Sequence, residues 1–242
     1  MISYIVIGVA AVLVILLCIG LAIASFSGEN FSNELEKARE YENVEGWTTL
    51  GLVEDINNKY FEGRLDVQET EEGNDHYSRG VVALSDSTME SDSLASLATI
   101  AHEIGHARQD FEGNTLDKHF AFRKVVRILG LFFMPTLIAG IVLGALYFVH
   151  VFDSKIYLIV AGVLLGVAFL IFIIALIMKY KEVKIERQAS RYAIEFLQEY
   201  LVEEEVKLCK DFLDSARLTY WADFFKLLLS WTLLTSKNKM FR

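Results

Sequence analysis

The chain has 242 residues, of which 53% are hydrophobic, and its mean hydropathy is +0.35. These values are too apolar for an ordinary soluble domain, so we expect segments that lie in a lipid bilayer. The net charge of −9 argues against a nucleic-acid partner, because phosphate backbones are bound by an excess of Lys and Arg.

The first predicted element is a transmembrane helix at about residues 3–25. Residues 1–28 contain no charged residue, and this run exceeds the roughly 20 residues that span a bilayer as a helix. A cleaved signal peptide is the alternative. The pattern favours an uncleaved anchor, because residues 1–4 carry no Lys or Arg and the apolar run is longer than usual for a signal. Cys18 lies in this anchor and Cys209 is predicted in the cytoplasm, so we expect no disulfide.

The next part of the chain reads as a small soluble region. Residues 33–41 look helical and charged, and residues 50–56 suggest another short helix. Residues 79–85 form a β-branched run bounded by turn-type residues, which predicts a strand. This strand either is purely structural or also offers its edge to an extended peptide, which would add a strand by backbone hydrogen bonds. The pattern leaves both interpretations open.

A longer helix is predicted from about Ser91 to Phe111. Polar residues at 91–93 offer N-cap oxygens, and apolar residues follow them at helical spacing. Residues 102–106 within this helix read His-Glu-x-x-His. The alternative is a charged amphipathic helix that carries two histidines by chance and binds no metal.

The His-Glu-x-x-His pattern has a specific chemical interpretation. Positions i and i+4 share one helix face, so the imidazoles of His102 and His106 can bind one metal ion. Zinc accepts two imidazoles and a carboxylate and keeps a fourth position open in catalytic sites. Glu103 can then take a proton from bound water. Gly105, between the histidines, would let another backbone or a substrate come close to the metal.

Two further transmembrane helices are predicted at about residues 128–150 and 156–178, and they are joined by a very short loop. Residues 128–152 and 156–178 contain no charged residue. Basic residues flank the outer ends of this hairpin: Arg123, Lys124 and Arg127 before it, and Lys179, Lys181 and Lys184 after it. Because Lys and Arg are enriched at the cytoplasmic ends of membrane spans, we expect residues of about 26–127 and 179–242 to face the cytoplasm.

After the hairpin, residues 182–197 form a predicted amphipathic helix. Glu186 precedes Ala189 and Ala193 by three and seven residues, so it borders a small-residue face that can pack closely against another helix. Glu186 is therefore either a third zinc ligand or a solvent-facing side chain, and spacing alone leaves both open. The last apolar stretch, at about residues 218–234, is short and interrupted by charges, which favours a buried or interfacial helix over a fourth span.

Several segments together resemble the YugP-type membrane zinc metallopeptidases, a group of bacterial membrane proteins with the HExxH motif. The resemblance runs from about Asp75 to Leu234, and the single N-terminal anchor fits it. The matching segments are residues 75–77, 82–85, 101–109, 186–193 and 218–220. Two departures concern details around the site: Ser78-Arg79 stands where the family often has Pro, and Gln188 stands where it often has an acidic residue.

The resemblance implies a gluzincin-like site with one Zn²⁺ per chain. His102 and His106 match the imidazole ligands, Glu103 the general base, and Glu186 the third ligand. The implied fold is a mainly α membrane protein, with three transmembrane helices and a cytoplasmic zincin-like α+β metallopeptidase domain split by a transmembrane hairpin. Oxyanion or substrate contacts are candidate roles for three further side chains, with structural packing as the alternative: His76, Tyr77 and Tyr220.

The sequence therefore predicts a zinc-dependent endopeptidase of the bacterial cell membrane, with its active site facing the cytoplasm and membrane or membrane-near proteins as substrates. We expect an anchor at 1–27, a metallopeptidase part at 28–127, a transmembrane hairpin at 128–178 and a cytoplasmic helical part at 179–242. The expected partners are a protein or peptide substrate and the lipid bilayer. A scaffold or regulatory protein with a vestigial metal site is the alternative. A transporter is poorly supported, because the spans contain no charged residue.

Overall fold

A computed structural model describes residues 2–71, 75–113, 115–151 and 154–229. The described chain is mostly helical. Seven α-helices of the described residues are α1 (Ile2–Glu40), α2 (Thr49–Phe61), α3 (Asp86–Met89), α4 (Leu94–Gly113), α5 (Thr115–Phe148), α6 (Lys155–Leu197) and α7 (Glu203–Leu229). Three strands are β1 (Asp66–Glu69), β2 (His76–Ser78) and β3 (Val81–Leu84).

Three of these helices, within the described ranges, are long and apolar enough to cross a membrane. They are α1, α5 and α6, which contain the three predicted spans. Two pairs of elements that we predicted separately are continuous. The anchor and the charged segment at 33–41 are both part of α1, and the third span and the amphipathic segment at 182–197 are both part of α6. Neither helix contains proline, the residue that most strongly interrupts a helix.

The chain divides into two compact units. The first comprises the described residues of Met1–Phe26, Ala121–Glu182 and Tyr220–Arg242. Its apolar cluster joins α1, α5 and α6 with the end of α7, where Phe224, Phe225 and Leu228 are buried. Phe225 packs directly on α1, since a Cβ added at Gly20 would lie 2.0 Å from its ring. One face of the described part of the predicted C-terminal apolar stretch is therefore buried against apolar helices, and residues 230–234 lie outside the described residues.

The second unit comprises Ser27–Phe120 and Val183–Thr219. Its sheet has the order β1-β3-β2, in which β1 runs parallel and β2 antiparallel to β3. The strand predicted at 79–85 is thus β3, the central strand, and both of its edges are paired. Of the two interpretations of this strand, the one in which it also offers an edge to a peptide is wrong, because its backbone groups already bond to β1 and β2. The two described edge strands are β1 and β2, and β2 lies next to α4.

The core of the second unit determines where α4 lies. Leu97, Ile100 and Ile104 are fully buried on one face of this helix, among apolar side chains from α2, the sheet, α6 and α7. Its N-terminus is capped by Ser93, whose Oγ accepts the backbone N–H of Ser96 at 3.3 Å. Apolar burial and the cap together fix the position and the rotation of α4, and these determine where the histidines lie.

Candidate metal centre

His102 and His106 lie one turn apart on α4, as the helical period requires. Their ring centroids are 4.8 Å apart, with the ring planes nearly perpendicular. His106 is buried and His102 is nearly so, with 12% of its side chain exposed. The helix therefore presents two imidazoles to one partly enclosed point.

The third member of the cluster comes from α6, which crosses α4 at very short range. A Cβ added at Gly105 would lie 2.3 Å from the carbonyl oxygen of Ala189, so only a glycine fits there. Ala189 and Ala193 are both fully buried. The close packing that we predicted for this small-residue face is confirmed. Its partner is the backbone beside Gly105, and it brings Glu186 to the two imidazoles.

The ligand atoms of these three residues converge. Glu186 Oε2 lies 3.2 Å from Nε2 of His102 and 3.4 Å from Nε2 of His106. Ligands at zinc bond lengths of about 2.0–2.2 Å are roughly 3.3–3.6 Å apart when they surround the ion tetrahedrally. Among the described residues, these three form the cluster of His, Cys, Asp and Glu that could hold a metal ion, with all ligand atoms within 4.8 Å. The two carboxylate-to-imidazole distances fit zinc.

The proton positions on both imidazoles also fit a metal site. The amide nitrogen of Gln109 donates to the Ile185 carbonyl at 2.7 Å, so its Oε1 faces His106 Nδ1 at 3.0 Å and accepts a hydrogen bond from it. Ser190 Oγ donates to the Glu186 carbonyl at 3.1 Å and accepts from His102 Nδ1 at 3.2 Å. With Nδ1–H used in this way, the neutral rings direct the lone pairs of Nε2 toward Glu186.

The electrostatics of the cluster favour a positive charge between these atoms. Burial alone lowers the pKa of His106, but the hydrogen bond and negative charge of Glu186 outweigh it and raise that pKa to about 9. The Nε2 lone pairs of the two imidazoles repel the negatively charged carboxylate of Glu186 unless a proton or a metal ion lies between them. The donor set of two imidazoles and a carboxylate is one that zinc prefers.

Glu103 is oriented by the edge strand β2. The backbone N–H of Tyr77 donates to Glu103 Oε2 at 2.8 Å. This N–H points away from β3 and toward α4, which places the carboxylate of Glu103 between the sheet and the helix that carries the histidines. The hydrogen bond holds one carboxylate oxygen, and Oε1 is left to contact a water molecule or a substrate.

The three candidates for oxyanion or substrate contacts have different surroundings. The Tyr77 hydroxyl donates to Asp110 at 3.0 Å and accepts the Gly80 N–H at 2.8 Å. Burial, together with Asp110, raises its pKa to about 12. This arrangement favours a structural role for that hydroxyl. His76 is exposed on β2, and Tyr220 belongs to the first unit, where Lys179 Nζ lies 5.3 Å from its ring.

Two other glutamates of α6 could compete with Glu186 by sequence position, and both have other partners. Glu195 accepts Arg108 Nη1 at 3.0 Å. Glu182, in the first unit, binds Lys179 at 3.1 Å and Arg123 at 3.2 Å. Glu186 is thus the glutamate of α6 that lies with the histidines.

Two residues around the centre escaped prediction, namely Gln109 and Ser190. A signal for them exists in the spacing. Gln109 follows His106 by three residues and Ser190 follows Glu186 by four, so each lies on the face of its helix that carries a ligand. What the sequence does not show is that Ser190 contacts His102, which lies on the other helix.

Comparison with known proteins identifies a family. A family model described as "Putative neutral zinc metallopeptidase" matches residues 12–236, which is nearly the whole chain. No curated protein and no solved structure matches the chain.

Proposed function

The chain belongs to the putative neutral zinc metallopeptidase family, and from this premise we propose that it is a membrane zinc endopeptidase of the gluzincin type, similar to the YugP-type proteins. The observation that carries the proposal is the convergence of His102, His106 and Glu186, with both Nδ1 atoms held as donors. A zinc ion would be held by the two Nε2 atoms and the Glu186 carboxylate. Bound zinc supplies a Lewis acid that polarises the peptide carbonyl and acidifies water.

Glu103 is the proposed general base. Its carboxylate takes a proton from the attacking water as the water oxygen bonds to the carbonyl carbon. It then delivers that proton to the leaving amine as the C–N bond breaks. The Tyr77 N–H keeps the carboxylate in one orientation for both transfers.

We propose a bilayer location, with α1, α5 and α6 as the membrane-spanning helices and the metal centre in the cytoplasm. The basic residues at both outer ends of the hairpin support this orientation. Substrates would then be membrane or membrane-near proteins. Cysteine labelling at Ser87, an exposed residue of α3, tests the orientation: a Ser87→Cys variant should react after lysis and stay unlabelled in intact cells.

The catalytic proposal is tested with Glu103→Gln. The amide cannot accept the proton, so the purified variant should keep zinc at the wild-type level and lose peptidase activity by about 100-fold or more. Glu112→Gln is the matched control, because Glu112 lies on the same helix with 48% of its side chain exposed. Proteins that accumulate in cells carrying Glu103→Gln, compared with cells carrying Glu112→Gln, identify substrates. Full activity of Glu103→Gln would refute the assignment and favour a scaffold with a vestigial metal site.

A further inference from the structure

The first unit contains a charged cavity that the peptidase chemistry does not use. It has a volume of about 480 Å³ and lies between α5, α6 and α7. Four cationic side chains line it: Arg123, Arg127, Lys179 and Lys226. Two carboxylates, Glu182 and Asp223, line it as well. The cavity lining therefore carries two more positive than negative charges, although the whole chain has a net charge of −9.

Two of the charged side chains that line this cavity, Lys179 and Glu182, are buried and paired with each other. Lys179 and Glu182 are 6% and 2% exposed, and they pair at 3.1 Å. The other oxygen of Glu182 accepts Arg123 Nε at 3.2 Å, so this one carboxylate is matched by two cations. The ring of Tyr220 lies 5.3 Å from Lys179 Nζ and adds an aromatic wall. Buried charges are costly unless they are paired, so their convergence on one cavity is more than a property of basic helix ends.

The cavity also lies at a defined position along the apolar helices. Arg127 directly precedes the uncharged run of residues 128–152, and Lys179 directly follows the uncharged run of residues 156–178. If these runs cross the hydrocarbon core, their basic ends lie at the level of the lipid headgroups. Val126, Phe224 and Leu227 supply apolar lining beside the cations. Guanidinium and ammonium groups above an apolar surface match a phosphate that is attached to acyl chains.

We propose that this cavity binds the phosphate-bearing headgroup of an anionic phospholipid. Arg127 and Lys226 contact the phosphate from α5 and α7, and the paired Lys179 and Arg123 provide the positive floor. The proposal rests on the proposed membrane location and is independent of zinc binding and of peptidase activity. Cytoplasmic helix ends are generally basic and attract anionic lipids without a site. A site in this cavity, in contrast, requires Arg127 and Lys226 for lipid binding and does not require the neighbouring cations.

The test uses the purified full-length protein in a neutral detergent, titrated with dioctanoyl phosphatidylglycerol. Dioctanoyl phosphatidylcholine and inorganic phosphate are titrated in parallel. We expect phosphatidylglycerol to bind at least 10-fold more tightly than either. The double variant Arg127→Gln/Lys226→Gln should weaken this binding about 10-fold or more. Equal binding of inorganic phosphate or of phosphatidylcholine would overturn the assignment to an anionic lipid.

The matched control is Lys124→Gln/Lys181→Gln. Both lysines are exposed, lie on α5 and α6 near the same helix ends and do not line the cavity. This variant removes the same charge and should keep phosphatidylglycerol binding within about twofold of the wild type. Equal weakening in both double variants would show general surface attraction and refute a site. If the cavity variant does not fold, Lys226→Gln alone decides the question, because 62% of that side chain is exposed; unchanged binding would then refute the proposal.

Discussion

Replacement of Gly105 by alanine is the sharpest test of how the metal centre is assembled. The added Cβ would lie 2.3 Å from the Ala189 carbonyl oxygen and 3.0 Å from its carbonyl carbon. Both atoms belong to the backbone of α6, so no side chain can rotate away. Ordinary contacts begin at 3.4 Å, and α4 and α6 must therefore separate by roughly 1 Å at this crossing.

The separation affects stability and metal binding to different degrees. Overpacking of this kind costs about 1–3 kcal/mol, whereas alanine is favoured over glycine in a helix by about 1 kcal/mol. We therefore expect a net loss of about 0–2 kcal/mol in the free energy of unfolding. Metal–ligand distances tolerate only about 0.2 Å, so moving Glu186 away from the imidazoles by roughly 1 Å should lower zinc affinity on the order of 100-fold.

The assay measures zinc affinity by competition with a chelator and stability by thermal unfolding. Gly113→Ala is the control, because Gly113 ends the same helix and has nothing within 4 Å of an added Cβ. It should leave zinc affinity unchanged and stability unchanged or slightly higher. Wild-type zinc affinity in Gly105→Ala would refute the inference that this close crossing sets the ligand geometry.

Three further predictions concern the residues around the metal. Glu186→Ala should lose zinc and activity, while Glu195→Ala, on the same helix, should keep both. Glu182→Ala should keep zinc but lose stability, because it removes the carboxylate that pairs with the buried Lys179. Ser190→Ala should weaken zinc binding about 10–100-fold, and Ser190→Thr, which retains the hydroxyl, should restore most of it; equal affinities would argue against control of the ring proton by Ser190. The pKa of His106 in the metal-free fold is raised to about 9, so its stabilising effect is full below pH ~6.5 and is lost as the pH rises through about 9. Unfolding measured with excess chelator should show this loss in the wild type and not in Glu186→Ala, and identical pH profiles would contradict it.

The features that the sequence predicted well depend on local patterns. The three apolar runs each exceed the length of a span, and they lie in the three helices that are long enough to cross a membrane. The α4 helix was predicted from its capping serines and its apolar spacing, and it begins three residues later than expected. Two boundaries were missed, because each apolar helix continues into a charged one with no proline to interrupt it, and in α1 the helix runs on even through Gly28. In α6, the helix continues past Met178.

The features that could not be predicted depend on contacts between distant segments. Spacing alone left Glu186 open, and only the family resemblance favoured it, because a helix pattern does not show which neighbour its small face meets. The position of β3 in the middle of the sheet depends on β1 and β2, which pair on its two sides. The hydrogen bond from the Tyr77 N–H to Glu103 also requires β2 to lie beside α4, and no local pattern encodes that.

The order of the metal centre follows from packing within the second unit. Ile104, next to Gly105, is fully buried in the apolar core, so α4 cannot rotate without exposing apolar surface. Gln109 links His106 to the backbone of α6 through Ile185, and Ser190 links His102 to the backbone at Glu186. Each histidine is thus tied to the helix that carries the carboxylate, so the two helices keep the distances between the ligand atoms. Hence a change at Gly105, Gln109 or Ser190 should act on zinc affinity first and on the fold second, whereas a change at Ile104 should do the reverse.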